Sequence, residues 1–246
     1  QGPSTVTATD AWCRPTPNGA RAGACYLSLT ASAVAPTPAA QLEARSAPES
    51  LAIDARDLRM RYGSHDVLTG LDLSVAPGEV LALLGPNGAG KTTTIEILEG
   101  FRRRSGGTAR VLGIDPDDAD DAWQARIGIV LQSWRDHRRW QVRQLLDHMG
   151  AHYRPYSTPE RPKPFDTDTL LAQVGLTDQA QQRVGHLSGG QRRRLDVAMG
   201  LVGDPELLFL DEPTVGFDPE ARQDFHHLIR SISERGQTAI VLTDLP

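Results

Sequence analysis

The chain has no apolar run near the roughly 20 residues that a helix needs to cross a bilayer, so no segment is expected to insert directly in a membrane. It also lacks an excess of positive charge. Lys and Arg number 26 against 31 Asp and Glu, a net charge of −5 with a pI of about 5.8. That balance argues against a nucleic-acid partner. Cysteine is scarce: Cys13 and Cys25 both stand near the N-terminus, so nothing beyond residue 50 depends on a disulfide or a cysteine-bound zinc. No initiator Met and no basic-then-apolar leader opens the chain, and it holds no internal repeat. What remains is 246 residues, enough for one sizeable core and an appendage.

The most informative segment is Gly85-Pro86-Asn87-Gly88-Ala89-Gly90-Lys91-Thr92. It fits the pattern G-x-x-x-x-G-K-[ST] of a phosphate-binding loop. Glycines let the chain turn tightly and bring backbone N–H groups close to an anion, and successive N–H groups make a concave nest of partial positive charge. A helix beginning near Lys91 adds its positive dipole end to the same nest. Lys91 can reach the β- and γ-phosphates of a nucleoside triphosphate, and the Thr92 hydroxyl can ligate Mg²⁺. The flanks agree: Glu79 to Leu84 reads as a buried strand entered through Pro77-Gly78, and Ile95, Leu98 and Phe101 recur at helical spacing.

Composition changes near residue 50. Residues 31–50 are rich in Ala, Pro and Ser and read as a linker. Leu51–Met60 and Leu68–Val75 are predicted as antiparallel edge strands, and Ile127–Leu131 as a further strand after the Asp-rich loop 115–121. Val142, Leu145, Leu146, Met149 and Tyr153 fall on one helical face. Four prolines between 155 and 164 break it. Asp166 or Thr167 can cap a second helix that ends at Gly175, and a third helix starts near Ser188. Strand Leu207–Leu210, helix Pro219–Arg235 and strand Thr238–Leu242 complete the reading.

The all-apolar run Leu207-Leu208-Phe209-Leu210 leads into Asp211-Glu212-Pro213. A parallel strand buried on both faces reads this way, and ligands gather at the carboxyl ends of such strands. Asp211 is then placed to hold Mg²⁺ opposite Thr92, and Glu212 to accept a proton from an attacking water. The glycine loop and the Asp-Glu pair are expected at adjacent strand tips.

Leu187-Ser188-Gly189-Gly190-Gln191 resembles, position for position, the signature sequence of ABC-type ATPases. From Leu51 to Leu242 the chain is similar to the nucleotide-binding domain of that family. The resemblance implies an α/β fold: a P-loop NTPase core with a mixed β-sheet, an antiparallel β edge and a helical subdomain over about 134–185. Within 51–246, ATP and Mg²⁺ are then the cofactors. Lys91, Glu212 and Gln132 are the catalytic candidates, and Thr92, Asp211 and Gln132 the metal site. Gly85 to Thr92 and Thr93 bind phosphate. Tyr62 resembles the aromatic residue that stacks on adenine, Gln132 the glutamine that senses Mg²⁺ and the γ-phosphate, and Val215-Gly216-Phe217-Asp218 the loop that follows the acidic strand. Ser188, Gly189, Gly190 and Gln191 offer a second anion site, which in the family faces the γ-phosphate of a second subunit. Homodimerisation on ATP, or pairing with another ATPase subunit, follows.

The segment 131–137 and Arg192-Arg193-Arg194-Leu195-Asp196 look most like ATPase subunits of ABC-2-type exporters, which pair with a separate membrane permease at the inner face of the cell membrane. Its grip is expected near Gln132, Trp134 and the Val142–Tyr153 helix. Soluble ABC ATPases acting on nucleic acid or ribosomes are the alternative, although the chain has neither a coiled-coil insertion nor a second P-loop; a nucleotide-binding fragment without turnover is a third. Two departures stand out. No histidine follows His227, where the family carries a switch histidine after the last strand, so weak or absent hydrolysis with retained nucleotide binding is expected. Residues 1–50 also form an extension in which Thr5–Trp12 and Gly23–Thr30 read as strands. Residues 4–50 resemble the opening of PCuAC copper chaperones without that family's Met and His ligands, so copper binding is not expected. The extension is expected to lack a partner sheet and to be poorly ordered.

Overall fold

The computed structural model describes residues 5–13 and 24–32 as strands, and residues 51–130, 137–214, 217, 219–234, 236 and 238–243. Gln132, Trp134, Val215, Gly216 and Asp218, singled out above, lie outside the described residues.

The chain runs β1 (Thr5–Cys13), β2 (Ala24–Ser32), β3 (Ile53–Tyr62), β4 (His65–Val75), β5 (Val80–Leu84), α1 (Lys91–Leu98), β6 (Gly106–Val111), α2 (Asp121–Gln124), β7 (Ile127–Val130), α3 (Val142–Ala151), α4 (Thr167–Gln173), α5 (Gly189–Leu201), β8 (Leu207–Leu210), α6 (Pro219–Glu234) and β9 (Ala239–Thr243). Two sheets form. The larger is mixed, in the order β1-β2-β5-β9-β8-β7, and the smaller is an antiparallel edge, β4-β3-β6. Strands β5, β9, β8 and β7 are all parallel.

The parallel strands are apolar throughout because both their faces are covered. In β8, Leu207 and Phe209 join one core with α1 and the antiparallel sheet, while Leu208 and Leu210 join a second core with α3, α4, α5 and α6. The same alternation divides Val241 from Ile240 and Leu242 in β9, as a strand period of two requires. Helix α5 approaches β7 closely: a Cβ on Gly128 would sit 2.1 Å from the Gly200 carbonyl oxygen.

Helix boundaries follow their caps. The Asp166 side chain accepts from Thr169 N–H and starts α4, and Gly175 ends it with φ +66°. Ser188 caps α5: its Oγ accepts from Gln191 N–H at 3.3 Å, and Gln191 Oε1 accepts from Ser188 N–H at 3.0 Å. This reciprocal pair is a capping box.

Four expectations need correction. Strand β6 is absent from the sequence reading; Gly107, at φ +79°, stands there because a Cβ would meet the Asp57 carbonyl oxygen at 2.1 Å. Helix α3 ends at Ala151 rather than at Tyr153. The Asp-rich loop contains α2, capped by Asp120. The extension does find a partner sheet: β1 pairs antiparallel with β2, and β2 pairs parallel with β5.

Candidate functional site

The loop 85–90 leaves the carboxyl end of β5 and turns into α1. Gly88 and Gly90 have φ +81° and +85°, the left-handed region that side chains with a Cβ rarely adopt. The two glycines differ in surroundings. Gly88 faces open space, whereas a Cβ on Gly90 would meet Leu68 Cδ2 at 2.7 Å. Pro86, Asn87 and Gly88 are exposed, and Ala89 and Gly90 are buried beneath them. Lys91 opens α1 and is only 6% exposed. Its Nζ donates to the carbonyl oxygens of Gly85 at 2.6 Å and Pro86 at 3.1 Å. The ammonium is thus folded back onto the carbonyls of its own loop. Thr93 is half-buried, and the Thr94 hydroxyl donates to the Gly90 carbonyl at 2.9 Å, steadying the first turn.

Asp211 and Glu212 follow β8. Thr92 Oγ1 donates to Asp211 at 3.2 Å to one carboxylate oxygen and 3.4 Å to the other. The glycine loop and the acidic pair therefore converge, although not at adjacent strand tips. Strand β9 lies between β5 and β8, and its last residue fills the gap. Thr243 Oγ1 donates to Asp211 Oδ1 at 2.8 Å and accepts from Glu212 N–H at 2.7 Å. Thr243 is fully buried. Sequence reasoning missed it because its place depends on strand order, which no local pattern encodes. Glu212 sits at φ +45°, an uncommon conformation for a residue with a side chain. The Thr243 bond to its N–H holds that turn.

A second missed residue is Glu99, buried just past the C-terminus of α1. Burial, with Asp211 and Glu96 nearby, pushes its carboxyl up to about 8. A negative field around Asp211 that suppresses ionisation of a neighbour is one that attracts a cation.

Two further elements reach the site. Arg193 of α5 is buried and donates from Nε to the Pro213 carbonyl at 2.8 Å, tying that helix to the acidic turn. Burial pushes its guanidinium down and the Asp196 carboxyl up. Tyr62 is 40% exposed, with the Arg102 guanidinium carbon 5.1 Å from its ring centroid. A base stacking on that face would displace Arg102. At the start of α5, Ser188 and Gly189 are exposed, and a Cβ on Gly189 or Gly190 would meet nothing within 4 Å. The start of α5 is open to solvent.

The donor set suits a magnesium nucleotide: hydroxyl and carboxylate oxygens at Thr92 and Asp211, which Mg²⁺ prefers, beside an anion-binding cradle with a lysine. A parallel α/β sheet with this loop after one strand and a carboxylate after another defines a P-loop nucleotide-binding protein. Residues 68–215 match the family described as "ABC transporter". The chain belongs to that family. It is 39% identical over 195 residues to the daunorubicin resistance ATP-binding protein DrrA2 of Streptomyces coeruleorubidus, covering 79% of this chain and 60% of that protein. It is 39% identical over 196 residues to the Nod factor export ATP-binding protein I of Paraburkholderia xenovorans, covering 80% and 63%. The chain thus spans less than two thirds of the length of these relatives. In fold it is similar to the ATP-binding cassette MJ1267 in its ADP conformation, with a TM-score of 0.68 at 22% identity over 80% of this chain and 83% of that one.

Proposed function

We propose that the chain is the ATP-binding subunit of an ABC-2-type exporter, which binds and hydrolyses ATP to drive transport through a separate permease. The observation that carries this reading is the contact of Thr92 with Asp211, 119 residues apart in sequence, beside the cradled Lys91. Two relatives named for drug resistance and for export support the transport direction. Among the described residues no helix is long and apolar enough to cross a membrane, so a path through the bilayer would come from a partner.

In this reading each site residue has a role. Lys91 swings from the Gly85 and Pro86 carbonyls onto the β- and γ-phosphates, exchanging two neutral acceptors for charged ones. Thr92 and Asp211 would hold Mg²⁺, which would supply charge neutralisation at the phosphate oxygens. Thr243 fixes the Asp211 carboxylate. Glu212 orients the attacking water and accepts its proton, together with Gln132. Tyr62 stacks on the base, and Gly85, Pro86, Asn87, Gly88, Ala89, Gly90 and Thr93 complete the cradle. Ser188, Gly189, Gly190 and Gln191, with Asp218, close over the nucleotide of a second subunit. The complex would sit on the cytoplasmic face of the membrane, against the permease.

Lys91→Ala tests this reading. ATP affinity, measured with a fluorescent analogue in the presence of Mg²⁺, should fall roughly 10- to 100-fold, the scale of a lost charge-assisted contact. Unchanged affinity in a folded variant would remove the nucleotide from this loop.

A further inference from the structure

The two cysteines of the chain lie in separate strands, and the register sets them directly opposite: Cys13 pairs with Cys25 in the antiparallel β1–β2 ladder. We propose that Cys13 and Cys25 close, reversibly and under oxidising conditions, an intrachain, cross-strand disulfide that staples the β1–β2 hairpin. Directly opposed residues of an antiparallel pair have Cα atoms about 4.5–5.5 Å apart, inside the 4.4–6.8 Å range that a disulfide spans. They also lie on the same face of the sheet. The neighbouring opposed pair in the same register is Trp12 with Tyr26. Between the strands the sequence supplies Pro15, Pro17 and Asn18-Gly19, residue types that favour a reversal.

The bridge has a structural address. Cys25 is in register with Leu81 of β5, and Ser28 with Leu84, the residue before the glycine loop. Cys13, Cys25 and Leu81 form one row across three strands. The disulfide therefore ties β1 to β2, the neighbour of the strand that leads into the glycine loop. This site is independent of the proposed function, whose residues all lie beyond position 60.

The chemistry is thiol–disulfide exchange with a small disulfide such as oxidised glutathione. The thiolate of one cysteine attacks a glutathione sulfur and releases one glutathione thiolate. The second cysteine then displaces the other glutathione from the mixed disulfide. Two protein thiols are oxidised, one glutathione disulfide is reduced to two thiols, and the two protons pass to the released glutathione.

The test is made on the full chain, equilibrated with oxidised glutathione, quenched with acid, unfolded and labelled with a maleimide. The expected product is monomeric, lighter by two hydrogen atoms, carries no label, and takes two labels after reduction. Two labels without reduction, glutathione adducts, or a disulfide-linked dimer on a non-reducing gel would overturn the proposal. A variant combining Cys25→Ser with Ala24→Cys shifts one thiol by a single position, to the other face of the sheet. Its ring closure should be at least about tenfold slower; closure at the original rate would show that the register does not bring the cysteines together.

Discussion

Thr243 holds two functional groups with one hydroxyl. It donates to Asp211 and accepts from the Glu212 N–H, so its loss frees a carboxylate and leaves a backbone donor without its partner. Thr243→Val keeps the volume and removes both bonds. ATP affinity with Mg²⁺ should fall about tenfold, while affinity in EDTA should change little, because the residue acts on the metal ligand. Calorimetric titration with and without Mg²⁺ separates the two; equal losses in both would mean general damage to the cradle. Thr243→Ser should behave as the parent. Glu99 gives a prediction in pH. Its carboxyl is raised from 4.5 to about 8 by burial and by Asp211 and Glu96, so the folded protein keeps a proton that the unfolded chain gives up near 4.5. The stability linked to that proton is present in full below 4.5 and is lost as pH rises through about 8. Glu99→Gln needs no proton. Relative to the parent it should gain on the order of a few kcal/mol between pH 5 and 9. Thermal unfolding of nucleotide-free protein across that range measures the difference, and parallel profiles would assign the pH dependence elsewhere. At this scale the sequence showed the ligands and missed their supports. Lys91, Thr92, Asp211 and Glu212 stand in contiguous motifs, whereas Thr243 and Glu99 are brought in by strand order and by helix packing.

Elements carried a clear signal wherever both faces of a strand or one face of a helix had to be buried. Strand β8 is apolar at each position, and both its faces are covered. The caps of α4 and α5 were legible because Asp and Ser before a helix have one evident use. Strand β6 was not, since its pairing depends on Gly107 approaching the Asp57 carbonyl, a tertiary requirement that looks locally like a turn. The packing of α5 on β7 is the same kind of feature. The Gly128 Cα faces the Gly200 carbonyl, and a methyl group would lie 2.1 Å from that oxygen. Gly128→Ala must push the helix off the sheet, at a cost of roughly 1–3 kcal/mol or more. Since Arg193 of the same helix holds the Pro213 carbonyl, the shift should also weaken Mg²⁺-dependent ATP binding. Chemical denaturation together with nucleotide titration checks both; a variant of parental stability would mean that the helix moves at no cost.

In the proposed reading the molecule as a whole carries two different anion sites. The cradle at Lys91 is lined by glycine N–H groups and a lysine. The start of α5 offers Ser188 and two glycines with nothing near where a Cβ would stand. The capping box of α5 is closed within the chain by Gln191, yet Ser188 and Gly189 remain exposed. A nucleotide held at one site of one copy can be covered by the other site of a second copy, and two such contacts related by a two-fold axis close on themselves. Association would then depend on ATP, because its phosphates form the shared surface. Glu212→Gln removes the group proposed to work on water and leaves Lys91, Thr92 and Asp211 in place, so ATP should persist and hold the pair together. Light scattering coupled to gel filtration should report a mass near 26.7 kDa without nucleotide and about twice that with Mg-ATP. Adding Ser188→Arg to this variant places a bulky side chain on the open helix start. ATP binding should survive while the dimer is lost, because the change lies on the covering site and not on the cradle. A double variant that still dimerises with ATP would show that α5 does not face the partner's nucleotide.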